Sequence, residues 1–189
     1  MKKSELQQTI CHSGGAIGAD TYFEEIGALY GIKTFAYSYK TPSHKSENKV
    51  DISETDYLEG VEKIETAFKT LKRKINYKYM NLLSRNWQQV KNADQIFAIS
   101  KIIFKNIESV SGGTGWAIQM AIDNKKEVYV FDQEQNAWFK WSYSKTKFTI
   151  LKNSPKITKR NFAGIGARKI NENGINAIKE LYKQSFKTE

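Results

Sequence analysis

Three short glycine-rich stretches, each placed where a run of strand character gives way to a helical pattern, constrain the fold of this chain more than any other feature. They are Ser13-Gly14-Gly15-Ala16-Ile17-Gly18-Ala19-Asp20, Ser111-Gly112-Gly113-Thr114-Gly115 and Ala163-Gly164-Ile165-Gly166-Ala167-Arg168. Glycine tolerates positive φ and lets backbone approach a neighbour closely, which suits a strand that must turn sharply into a helix. Residues 8–12 read as a buried strand; after the first turn Tyr22, Phe23, Ile26, Ala28, Leu29 and Tyr30 recur at helical spacing as far as Gly31. The alternation over 32–38 then completes a strand, turn, helix, strand unit. A second such unit runs from strand 95–100 through the Ser111 turn and helix 116–123 to strand 127–131. The pattern predicts an α/β domain of Rossmann-like type, an open and mostly parallel sheet with helices on both faces.

The intervening segments fill in around these units. Residues 39–55, with Pro42 and little apolar content, read as a long loop. Leu58, Val61, Ile64, Phe68, Leu71 and Ile75 give a helical stripe, interrupted by Glu65, with Ser53 or Thr55 as N-cap; Lys63, Lys69, Lys72, Arg73 and Lys74 occupy the other face. Residues 77–90 read as a helix, while 102–110 is open between a strand and an irregular excursion. Phe139, Trp141 and Tyr143 alternate with Lys140, Ser142 and Ser144, so a small β-hairpin is expected near 138–152. A last strand over 160–163 leads into a terminal helix with Ile175, Ile178, Leu181 and Tyr182 on one face and Asn171 or Asn173 near its cap. No linker divides the chain, so one domain over 1–189 is expected.

Composition removes several function classes. One cysteine, Cys11, and two histidines, His12 and His44, provide neither a disulfide nor a zinc cluster. No run of 18 apolar residues and no N-terminal apolar segment points to a membrane, so a cytoplasmic address without membrane partners is expected. A formal charge of +10 admits an anionic partner, although lysine-rich composition also simply confers solubility.

In an open parallel sheet, ligands bind at the carboxyl edge of the strands, where all three turns sit. There the first N–H groups of a helix and its dipole favour an anion such as phosphate. The G-x-x-x-x-G-K-[ST] spacing is absent and Gly164-Ile165-Gly166 lacks the third glycine of a dinucleotide fingerprint, which disfavours ATP hydrolysis and NAD. No separate cofactor is called for.

Taken together, the three stretches resemble the SLOG superfamily, which joins the DNA-processing protein DprA to the LOG phosphoribohydrolases and includes phage-type members. Residues 12–20 are similar to its "SGGA-x-G-x-D" turn, Ser111 to Gly115 to its "GGTG" turn and Phe162 to Arg168 to its "AGIGSR" turn. Arg85-Asn86, Gln89-Val90 and Ala93-Asp94 resemble the stretch leading into the "GGTG" strand. In that superfamily the "AGIGSR" strand opens the domain, whereas here it closes the chain, so the resemblance implies a circular permutation. A permuted chain places strand 160–163 inside the sheet, beside and parallel to strand 8–12; joining old termini and opening new ones is permissible because termini lie at the surface.

The resemblance implies binding of a nucleotide or nucleotide-derived molecule, with N-glycosidic hydrolysis as an attached possibility and DprA-like nucleic-acid binding as the alternative. Ligand contacts are then expected from Ser13, Gly14, Gly15, Gly18, Gly112, Gly113, Thr114, Gly115, Gln119, Gly164, Gly166, Arg168 and Arg85, with Asp20 and Glu24 as catalytic carboxylates. The enzyme turn "PGG-x-GT-x-x-E" is only partly matched: Ser111 replaces its proline, Trp116 its threonine and Gln119 its glutamate, and an amide cannot serve as a general base. Trp116, and Phe139, Trp141 and Tyr143 on the hairpin, are the residues that offer a ring to a base or cover the core or a dimer contact. Homo-oligomer formation is admitted, and nucleic-acid binding would use Lys63, Lys69, Lys72, Arg73, Lys74 and the 140–160 region.

Overall fold

The computed structural model describes residues 8–41, 44, 46–105 and 107–186. Its ten strands are β1 (Ile10–Ser13), β2 (Lys33–Ser38), β3 (Lys49–Asp51), β4 (Gln95–Ser100), β5 (Ile102–Ile103), β6 (Ser109–Val110), β7 (Glu127–Asp132), β8 (Ala137–Ser142), β9 (Lys147–Ile150) and β10 (Asn161–Gly166). The helices are α1 (Ala19–Leu29), α2 (Glu54–Leu71), α3 (Met80–Lys91), α4 (Gly112–Asp123) and α5 (Glu172–Phe186), with a 3-10 turn at Tyr77–Tyr79 before α3.

Eight strands form one sheet in the order β3-β2-β1-β10-β4-β7-β8-β9. From β3 to β7 every neighbouring pair is parallel, and β8 and β9 add an antiparallel hairpin at one edge. The last strand in sequence is therefore central: β10 pairs parallel with β1 (Cys11 opposite Phe162) and with β4 (Ile165 opposite Ala98). This is an α/β fold with Rossmann-like topology.

Strand side chains alternate between faces, and β4 shows the consequence, since it is buried along its whole length. Ile96 and Ala98 join Ile64, Trp87, Val90, Met120 and Val130 in a core beneath α2, α3 and α4. Phe97 and Ile99 join Phe23, Phe131, Phe162, Ile178 and Tyr182 beneath α1 and α5. Cys11 packs in the second core; burial pushes its thiol up to about 12, as befits a small hydrophobe rather than a nucleophile.

Several elements differ from the sequence reading. Residues 39–55 contain the edge strand β3, and 102–110 resolves as the antiparallel β5–β6 pair. On α2, Ser53 is the N-cap and forms a capping box with Asp56, but the buried face is Gly60, Ile64 and Ala67, while Leu58 and Phe68 are 56% and 41% exposed. The small residues decide this: a Cβ at Gly60 would lie 2.3 Å from Ser84 Oγ, so α2 and α3 touch where side chains are smallest. Gly112 to Gly115 belong to the first turn of α4, and Gly164 and Gly166 to the end of β10, rather than to connecting turns.

Gly164 has a packing reason. A Cβ there would sit 2.3 Å from Phe23 Cγ, between the central strand and α1. Gly164→Ala is expected to destabilise the protein by about 1–3 kcal/mol through overpacking, read as a lowered urea midpoint at unchanged slope. Among the described residues, no helix is long and apolar enough to cross a membrane.

Candidate functional site

At the carboxyl edge of the sheet, the ends of β4 and β10, the first glycine turn, the start of α4 and one side of α3 enclose a cavity of about 650 Å³. Of the residues the sequence singles out, Asp20, Arg85, Gly112, Gly113, Thr114, Gly166, Arg168 and Trp116 line it.

The start of α4 is open. Its N-cap Ser111 makes no capping bond to the helix and pairs instead with Ser100 (Oγ···Oγ 3.2 Å), and its first turn carries no acidic residue. The N–H groups of Gly112, Gly113 and Thr114 lie ahead of the first intrahelical bond, which runs from Gly115 N to Ser111 O at 3.1 Å. Gly112 has φ 62°, and a Cβ added to it meets nothing within 4 Å; one at Gly113 meets only Leu83 Cδ2 at 3.9 Å. All three residues line the cavity, where helix-start donors of this kind favour an anion.

The first and third glycine turns are arranged differently. Asp20 Oδ1 accepts from Gly166 N at 2.9 Å, and the amides of Ala16 and Gly14 also face its carboxylate. Two of the three expected anion nests thus hold the protein's own carboxylate. Arg85 Nη1 lies 3.9 Å from Asp20 Oδ2 and donates to Gln89 Oε1 at 2.8 Å, while its buried Nε has no partner among the described residues. Burial outweighs the arginine and the amides, and pushes the Asp20 carboxyl up to about 6.

The remaining residues predicted from sequence are not among those lining the cavity. Ser13 Oγ donates to Asp20 O at 3.2 Å and closes the start of α1. Gly14 is pressed against Arg85, Gly15 (φ 57°) lies against the His44 ring, and Gly18 (φ 113°) lies on the backbone of Ala167 and Arg168. A Cβ at Gly115 would stand 1.9 Å from Val110 O, and Gly164 faces Phe23, so both serve packing. Gln119 Nε2 donates to Asp123 Oδ1 at 2.8 Å along α4. Glu24 accepts from Ser46 Oγ at 2.5 Å and Asn48 Nδ2 at 2.6 Å, anchoring the segment before β3 rather than facing the cavity. His12 bridges Tyr37 and Asn161 across three strands (3.0 and 3.2 Å), and burial lowers its pKa.

On the hairpin, Phe139 and Trp141 pack with Phe148 on the core, and Tyr143 donates to Lys126 O at 2.6 Å, so none of the three reaches the cavity. Of the rings named from sequence, Trp116, buried at the cavity wall, is the one that does. Sequence reasoning missed Asn76, Tyr79 and Leu82, which also line the cavity, and named Asn86 only within the resembling stretch on α3, because only the packing of α3 across the edge brings them there. Arg73, expected only as part of a basic face, also lines the cavity; its guanidinium donates to Val110 O at 2.6 Å and Ser109 Oγ at 2.8 Å. Compared with protein-family models, with curated proteins and with solved structures, the chain matches none.

Proposed function

We propose that this chain binds a phosphate-bearing nucleotide, or a small molecule derived from one, at the carboxyl edge of its sheet. The observation that carries the reading is the uncapped, acid-free start of α4 opening onto the same cavity as Arg85, Arg168 and Trp116. In this reading a phosphate accepts from the amides of Gly112, Gly113 and Thr114, arginine supplies charge-assisted bonds, and the indole of Trp116 offers a face to the base. The central, parallel position of β10 supports reading the chain as a circularly permuted SLOG-like domain.

Among the described residues Asp20 is the one carboxylate in the lining, and Glu24 is committed elsewhere. Glycoside hydrolysis in most families employs two carboxylates flanking the bond, so binding or sensing is favoured here over base release. A nucleic-acid reading draws on one observation: Arg73 and Lys74, which follow the C-cap of α2, also line the cavity.

Calorimetric titration with AMP and with a single-stranded oligonucleotide, each at two salt concentrations, separates the two. AMP is expected to bind, with a shallow salt dependence, and at a hundredfold excess over its Kd to stabilise the fold by about 2.7 kcal/mol. Oligonucleotide binding with a steep salt slope, and none by AMP, would transfer the assignment to the nucleic-acid reading.

A further inference from the structure

Resting on the reading just given, the cavity's charge layout carries it one step further. Among the described residues, four cationic side chains line the cavity, Arg73, Lys74, Arg85 and Arg168, against the single carboxylate of Asp20. They do not form one cluster. Arg85 sits against Gly14 at the end of β1, and Arg168, which follows β10, is near enough to oppose its charge. Arg73 instead lies beside Gly115 in the first turn of α4, held by Val110 and Ser109 of β6.

The Arg85–Arg168 end is under-neutralised. Asp20 stands 3.9 Å from Arg85 and is shared with the amide of Gly166, and the Nε of Arg85 is buried without a partner among the described residues. A buried, partly unpaired guanidinium beside a second arginine is costly unless an anion enters between them. The amides of Gly112 to Thr114 are a second anion position, because they start a different helix beyond β4. Arg85, on α3, lies against Gly14 at the end of β1, Arg168 follows β10, and β4 is the next strand after β10 in the sheet. One to two strand spacings, roughly 5–10 Å, therefore separate the two positions. That is more than two phosphates sharing a bridging oxygen can span, and it suits phosphates on different positions of one sugar.

We infer that the ligand is a nucleoside carrying two separate phosphate groups, one bound at the start of α4 and the other between Arg85 and Arg168. A single phosphate fills one position and leaves the other without a bound anion.

The test is titration of the intact chain with AMP, ADP and adenosine 3′,5′-bisphosphate. The bisphosphate is expected to bind at least tenfold more tightly than AMP, with ADP close to AMP. Arg168→Gln, at an exposed position where folding is not at stake, is expected to weaken the bisphosphate at least fivefold more than AMP. Equal affinity for AMP and the bisphosphate, ADP binding as tightly as the bisphosphate, or equal losses in the variant would each overturn the inference while leaving the single-phosphate reading in place. Binding of none of the three would overturn the reading beneath it.

Discussion

Gly113→Asp is expected to lower nucleotide affinity by at least a hundredfold while leaving the protein as stable as before or slightly more so. Two effects of one carboxylate point in opposite directions here. An acidic side chain in the first turn of a helix interacts favourably with the dipole, by about 0.3–1 kcal/mol, and α4 has neither an acidic residue there nor a side-chain cap. Space is no obstacle, because a Cβ at Gly113 meets only the tip of Leu83 at 3.9 Å, and Gly113 is not among the residues with positive φ. The same carboxylate would stand over the amides that the proposed phosphate needs, with like charge and with its own claim on their hydrogens. Affinity by calorimetry and the unfolding midpoint, measured on one preparation, check both halves. If the variant keeps its affinity for AMP, the start of α4 is not the phosphate site; if it loses both affinity and stability, the substitution has simply damaged the fold.

The architecture was legible in sequence because glycines and hydrophobic periodicity are local signals. Two strand, turn, helix, strand units predict parallel strands with helices on both faces, and the third glycine stretch, read through its resemblance, predicts the central place that β10 occupies. What the glycines do was much less legible. Gly60 and Gly164 are small because Ser84 and Phe23 press on them, and those neighbours are 24 and 141 residues away along the chain, distances that no local pattern encodes. Gly112 and Gly113, which read the same way in sequence, face open space.

The same blindness governed the acidic residues. Asp20 and Glu24 are four positions apart on α1, so helical spacing puts them on one side of it, and both looked suited to catalysis. The structure separates them by what approaches: the end of β10 reaches Asp20, while Ser46 and Asn48 reach Glu24. Of the cavity's arginines, Arg85 and Arg168 were named from the resemblance, whereas Arg73 read only as part of a basic face, because the packing that brings it to the start of α4 has no local signal.

Asp20 should also leave a signature in the pH dependence of stability. Its carboxyl is raised from the usual 3.8 to about 6 in the folded protein, first by burial, against the opposing pull of Arg85 and three backbone amides. Because the folded state holds the proton more tightly than the unfolded chain, the stabilising contribution is complete below about pH 4 and is lost as pH rises through about 6. Two pKa units at 1.36 kcal/mol each amount to about 3 kcal/mol, large against a typical domain stability. Asp20→Asn keeps the shape of the side chain but cannot titrate, so its stability should lack this component. The difference in unfolding free energy between wild type and variant should therefore shift by about 3 kcal/mol, in favour of the variant, between about pH 4 and pH 7. Parallel pH profiles for the two proteins would show that the carboxylate is held at its ordinary pKa, with the amides and Arg85 fully offsetting its burial. The ligand couples to the same proton. An anion entering beside Arg85 meets less repulsion when Asp20 is neutral, so by linkage sulfate, which keeps its charge over this range, should bind more tightly as pH falls from about 7 to 5 in wild type, with Asp20→Asn showing a weaker dependence.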